Sequence, residues 1–182
     1  LPGLTFRESL YNGVASDRIN RQFRFCPRSD GMFNIGSLSY HIGEEDRHHG
    51  YYAVGYALGS SPSETSADKT FNYALWTLIE QPLLHVGESH LGAMWQGGTS
   101  PASRSTCRHY WGAGLIWSNI PPQMTQVGLV VNRALYADGR ETDVELTGSF
   151  PVCNHFTLQP AVHCINTNGN YTAAAQLRAI LE

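Results

Sequence analysis

The chain has 182 residues, the length of one domain, and its 12 Lys+Arg against 15 Asp+Glu leave a formal net charge of −3. No basic excess exists to coat a polyphosphate, which argues against nucleic acid as a partner. Charged residues make up 15% of the chain, against about 25% in a typical soluble domain, while 18 glycines and 11% aromatics exclude a disordered chain and a glycine-poor helical bundle.

The first residues, Leu1-Pro2-Gly3-Leu4-Thr5-Phe6-Arg7, lack the basic head and apolar run of a signal peptide. The expectation is that a leader was removed or that the chain is part of something longer. From there the dominant pattern has period two. Leu4, Phe6 and Leu10 alternate with Thr5, Arg7 and Ser9, with Glu8 interrupting the apolar side. A polar stretch over 12–30 predicts a loop, and 32–42 is strand-like with mixed phase. Over 51–58, Tyr52, Val54, Tyr56 and Leu58 share one face and Tyr51, Ala53, Gly55 and Ala57 the other. A second loop is predicted over 59–70. Segments 71–80 and 83–96 are strand-like without clear faces, and 97–108 reads as a third loop.

Alternation returns at 109–118, where Trp111, Ala113, Leu115 and Trp117 oppose Tyr110, Gly112, Gly114 and Ile116. After a turn at 118–122, residues 124–132 set Val127, Leu129 and Val131 against Gln126, Gly128 and Asn132. Over 142–150, Val144, Leu146 and Phe150 oppose Asp143, Glu145 and Ser149. A turn at 151–154 leads to 156–163, where Phe156, Leu158 and Val162 oppose Thr157, Gln159, Ala161 and His163. An Asn-Gly signal at 166–170 predicts a hairpin into 171–181, with Tyr171, Leu177 and Leu181 opposite Thr172, Gln176 and Arg178. The alanine-rich 171–182 also fits a short helix. The sum is about ten antiparallel strands of a length suited to a membrane barrel.

Two architectures accommodate this meander. In a soluble sandwich the apolar faces look inward; in a membrane barrel they look at lipid and the other face lines the lumen. No apolar run approaches the roughly 18–20 residues of a membrane-spanning helix. The second face is small and polar, and Tyr and Trp gather near strand ends, as in a barrel with aromatic girdles. Lys69 is the only lysine, and the other cationic residues are arginines. Arginine's planar fork suits carboxylates, sugar hydroxyls and aromatic faces, although a coding bias explains the same imbalance.

Several stretches carry a resemblance. Glu145-Leu146-Thr147, then Phe156-Thr157-Leu158-Gln159-Pro160-Ala161-Val162-His163, then Asn168-Gly169-Asn170 resemble the closing strands of the carbohydrate-selective porins of the OprB type. Upstream, Leu10-Tyr11-Asn12-Gly13, Asp30-Gly31-Met32-Phe33-Asn34-Ile35-Gly36, His49-Gly50-Tyr51-Tyr52 and Gly98-Thr99-Ser100-Pro101 follow in the same order. The resemblance implies an all-β, antiparallel up-and-down transmembrane barrel in the bacterial outer membrane. Residues 1–182 would form one segment of it, the C-terminal part of a barrel of about sixteen strands. It implies passive, sugar-selective diffusion, with carbohydrates and outer-membrane lipid as partners, no cofactor and no catalysis. The remaining strands would come from a missing N-terminal half or from a second chain. Four cysteines and the ending Ala179-Ile180-Leu181-Glu182 depart from the family pattern.

With the apolar face on lipid, the lumen face holds Arg7, Tyr51, Asp143, Glu145, Gln159, His163, Gln176 and Arg178. These are the candidate sugar-contacting residues: charged groups across a pore replace part of a sugar's hydration shell, and an aromatic face suits a pyranose ring. Ordinary lumen hydrogen-bond networks use the same residue types. Cys153 and Cys164 bracket one strand, so about 36 Å of extended chain keeps them from pairing, while Cys26 and Cys107 lie in two of the long loops and could meet there; free thiols are the expected state. Cys153, His155, His163 and Cys164 match no common zinc spacing, and no metal is expected. Asp46-Arg47-His48-His49 reads as a solvated loop. No catalytic motif occurs; Ser89 and His90 sit beside each other, where strand neighbours point to opposite faces. The competing readings are a secreted soluble β-sandwich that binds carbohydrate and, behind it, a hydrolase using Ser89 or His90.

Overall fold

The computed structural model describes residues 3–13, 26–43, 50–62, 69–121, 124–153 and 155–181. In chain order these form β1 (Leu4–Asn12), α1 (Pro27–Asp30), β2 (Met32–Ile42), β3 (Gly50–Pro62), β4 (Lys69–Val86), β5 (Ser89–Thr99), β6 (Cys107–Ile120), β7 (Met124–Tyr136), β8 (Arg140–Cys153), β9 (Phe156–Thr167) and β10 (Asn170–Leu181). The ten strands make a single sheet in sequence order, each antiparallel to the next. The sheet is open, and β1 and β10 are its edges.

The expected all-β meander is therefore present, with differences at the joints. The fourth and fifth strands were expected to part near 81–82. Instead β4 runs on through Pro82 to Val86, and the chain reverses at Gly87-Glu88. Pro82 lacks an N–H for the ladder, and the register shifts by one residue between Pro82 and Leu84. Gly87 adopts φ +61, which the tight turn requires. Strand β8 likewise continues into the expected turn at 151–154 as far as Cys153, with a shift at Pro151/Cys153. The expected loop over 97–108 shrinks to 100–106 between β5 and β6. The segment 171–181 is strand, so the helical alternative there is excluded. Within the expected 12–30 loop lies α1, pinned to the end of β1 by Asn12 Nδ2 donating to Asp30 Oδ2 at 2.8 Å. The loop at 46–49 lies outside the described residues.

The Asn168-Gly169 hairpin forms as expected. Both residues take positive φ, 53° and 97°, the conformation of a two-residue turn whose twist matches the strands. Asn168 Oδ1 accepts from Arg140 N at 2.8 Å, tying this turn to the one between β7 and β8.

Register assigns every strand to common faces. One row runs Phe6, Leu38, Val54, Thr77, Gly97, Trp111 and Arg133. Another runs Leu91, Trp117, Val127 and Gly148. Leu115, Leu129, Leu146, Val162 and Ala175 continue the same face. All faces read from alternation thus fall on one side of the sheet. The ambiguous segments resolve too: β4 puts Leu75 and Ile79 on this face and Trp76 and Leu78 on the other, so both its sides are apolar.

The bulky apolar face is the uncovered one. Val54 is 57% exposed, Leu129 48% and Leu146 54%, and Leu158 is not buried either. Among the described residues the only buried apolar side chains are two alanines, Ala53 at 2% and Ala161, both on the opposite, small-residue face. Ser39, also on that face, is buried. Only α1 lies against the sheet as a further element, touching β3. The small-residue face is thus the sheltered, inner side of this single layer, and the bulky apolar face its exposed, outer side. A two-layer sandwich needs a second sheet over a dry core, and all ten strands lie in one.

Candidate functional site

The sheltered face is paved with small residues in β3, where Ala53, Gly55 and Ala57 alternate outward-facing Tyr and Val. The pavement has a steric reason. The Trp76 indole of β4 lies over Gly55, so close that an added Cβ would stand 2.2 Å from its ring. The bulky ring occupies the space that the missing side chain leaves.

Further round the sheet the same face becomes polar. Gln96 of β5, Asn132 of β7 and Asp143 of β8 share one cross-strand row, with Gly112 of β6 between the first two. Tyr110 reaches into that gap. Its hydroxyl donates to Asn132 Oδ1 at 2.8 Å and accepts from Gln96 Nε2 at 2.6 Å. A Cβ at Gly112 would stand 2.4 Å from Asn132 Oδ1, so glycine is what lets the network close over the strand.

The row ends in a charged cluster. Glu145 of β8 lies directly opposite His163 of β9, and Asp143 is two residues along β8 on the same face. His163 Nδ1 stands 3.1 Å from Asp143 Oδ2, with the side chains 19% and 21% exposed. The donor atoms of Asp143, Glu145 and His163 all lie within 4.8 Å of one another.

The structure thus brings three of the eight candidate residues together. Gln159 and Arg178 face each other across β9 and β10, and Gln176 shares their side of β10, opposite Ala161. Arg7 and Tyr51 stand apart, on β1 and β3. Arg7 is opposite Ser37, and the Tyr51 ring lies 4.6 Å from that of His41. All eight lie on the sheltered face, but they do not converge on one point. Sequence reasoning did not single out Gln96, Tyr110 and Asn132. A polar residue recurring beside glycine on a small-residue face was their signal, and only register joins them.

A second feature of this face is a 620 Å³ cavity near one end of β2–β4. The 100–106 loop folds over it, held by Asn72 Nδ2 donating to Arg104 O at 3.2 Å and to Ser105 Oγ at 3.1 Å. Ser89 donates its hydroxyl to Asn119 O at 2.7 Å, an arrangement that fixes the side chain without activating it as a nucleophile. The four cysteines are free thiols. No family model, curated protein or solved structure matches the chain.

Proposed function

We propose that this chain forms part of the wall of an outer-membrane β-barrel channel that passes carbohydrates by passive diffusion. One observation carries the reading: across ten consecutive strands most of the bulky apolar side chains point to the exposed side of a single sheet, while small and polar residues predominate on its sheltered side. In water that arrangement leaves a large apolar surface uncompensated. Against acyl chains it is the stable one. A 710 Å³ groove on the outer face, walled by Phe6, Leu38, Val54, Leu75 and Trp95, is of the right chemistry for an acyl chain.

The edges add a condition. The outer sides of β1 and β10 present backbone N–H and C=O groups that hydrocarbon cannot satisfy, at a cost of several kcal/mol each. In a membrane they must pair with each other, with further strands or with a second chain. About eight strands leave an interior filled by side chains, whereas about sixteen leave an aqueous channel. A sugar-conducting channel therefore uses strands beyond these ten.

The carbohydrate specificity rests on the porin resemblance and on the mixed lumen face, where Asn, Gln, Tyr and carboxylate groups offer donors and acceptors to hydroxyls. Two measurements test the proposal. The 182-residue chain should need detergent for extraction and should show heat-modifiable gel mobility; a protein soluble without detergent overturns the reading. In liposome swelling the chain alone should admit no sugar, and the barrel completed by its missing strands should. Swelling in neither case would dismiss the channel.

A further inference from the structure

We propose that Asp143, Glu145 and His163 form a binding site for a divalent first-row transition-metal ion on the sheltered face. The donor set is mixed: two carboxylates and one imidazole, from two adjacent strands, with every donor atom within 4.8 Å of the others. Strand register holds this geometry. Glu145 and His163 are cross-strand partners, and Asp143 follows at the next position on the same face. Two ligands about 2.1 Å from one ion stand roughly 3.4 Å apart in a tetrahedral site. The 3.1 Å between His163 Nδ1 and Asp143 Oδ2 is already close to that spacing.

A second observation points the same way. The other Asp143 oxygen, Oδ1, is shut off from solvent and meets no hydrogen-bond donor among the described residues. An ionised oxygen in that state costs free energy unless a cation reaches it. Among the described residues, the trio's cross-strand neighbours supply none. The register neighbours of the trio on β7, β9 and β10 are Asn132, Val130, Ile165 and Ala174, none of them cationic. Arg178 lies four residues from Ala174 along β10, roughly 13 Å at about 3.3 Å per residue.

The ion class follows from the donors. Ca²⁺ and Mg²⁺ favour all-oxygen sites, and Cu⁺ favours sulfur; one imidazole with two carboxylates suits Mn²⁺ or Zn²⁺. Three protein ligands leave coordination positions open for water or a solute hydroxyl. Binding at Nδ1 requires that nitrogen to be free of a proton, so the neutral ring would carry its proton on Nε2.

The test uses the untagged 182-residue chain in detergent, titrated with Mn²⁺ and followed by loss of the free-ion electron paramagnetic resonance signal. We expect one saturable Mn²⁺ per chain, displaced by Zn²⁺ but not by equal Ca²⁺. Glu145→Gln and His163→Ala should each weaken it by about tenfold or more, and His155→Ala should not. Should His163→Ala fail to fold, the near-isosteric Glu145→Gln and Asp143→Asn carry the test. Absent saturable binding, binding indifferent to these variants, or easy displacement by Ca²⁺ would overturn the site. Conductance plays no part in the readout, so the metal site and the channel stand or fall separately.

Discussion

The two faces of this sheet differ in what they expose and in what they hold in place. The outer face carries bulky Leu, Val, Phe and Trp that stay largely exposed, and only a few of its rings, such as Tyr56 on Gly36 and Phe150 on Gly148, are seated on a glycine. The inner face carries small residues whose spaces are filled by particular partners: Trp76 over Gly55, and Tyr110 with Asn132 over Gly112. A soluble protein puts its jigsaw under the large apolar side chains. Here the face of small residues has close fits of its own, so the contrast between the faces involves packing as well as polarity.

The largest effect should come from charging the outer face. Leu129→Arg places a guanidinium among Leu115 and Leu146, which lie opposite it on either side. At mid-depth in a bilayer that costs about 2–4 kcal/mol. Thr147→Arg sits beside it in register, opposite Gly128, but faces the inner side next to a 170 Å³ cavity. If this face lines a lumen, it should cost less than about 1 kcal/mol, because lumen positions tolerate charge. Urea unfolding from lipid vesicles measures both. Equal losses would erase the distinction between the faces.

Next comes added bulk. Gly55→Ala, on the inner face, drives a methyl into the Trp76 ring and should destabilise by about 1–3 kcal/mol. Gly97→Ala, on the outer face, meets only ordinary contacts at 3.5 Å from Thr77 and Trp95. It should be neutral or slightly stabilising, since alanine restricts the unfolded chain more than glycine does. The paired denaturation midpoints in one detergent sharpen the contrast without reference to lipid.

Much of this was legible beforehand, and the reason is period two. Each clearly alternating strand revealed its own faces, since a pleated strand must send neighbours to opposite sides. Asp143, Glu145 and His163 were therefore legible as residues of one face. Their meeting at one point was not, because cross-strand register lies in hydrogen bonds between segments distant in sequence. The fourth and fifth strands were misdivided for a local reason. Pro82 looks like a break, yet a bulge absorbs it, and the true reversal at Gly87-Glu88 lacks the usual Asn-Gly signature. Segment 71–80 hid its faces because Trp76 and Leu78 fill the inner side as well as Leu75 and Ile79 the outer.

The smallest effect concerns Glu8, the one carboxylate among the described strand residues that breaks the outer face. Glu8 sits opposite Gly36, where Asn34 Nδ2 donates to its Oε1 at 3.1 Å and the Tyr56 hydroxyl at 3.3 Å. The tyrosine ring that makes this contact lies on Gly36, so the donor is held by packing. Glu8→Gln keeps an acceptor oxygen for both donors and removes only the charge. If the outer face meets lipid, losing the charge should stabilise the vesicle-bound chain by at most about 1 kcal/mol, because acidic residues are tolerated better than basic ones near the interfaces. In detergent solution, where water reaches the carboxylate, the same change should be neutral within about 0.5 kcal/mol. A gain confined to the bilayer identifies the medium that the face was built for. A loss in both media would mean that Glu8 serves the protein as an anion, and that this corner of the outer face is wet.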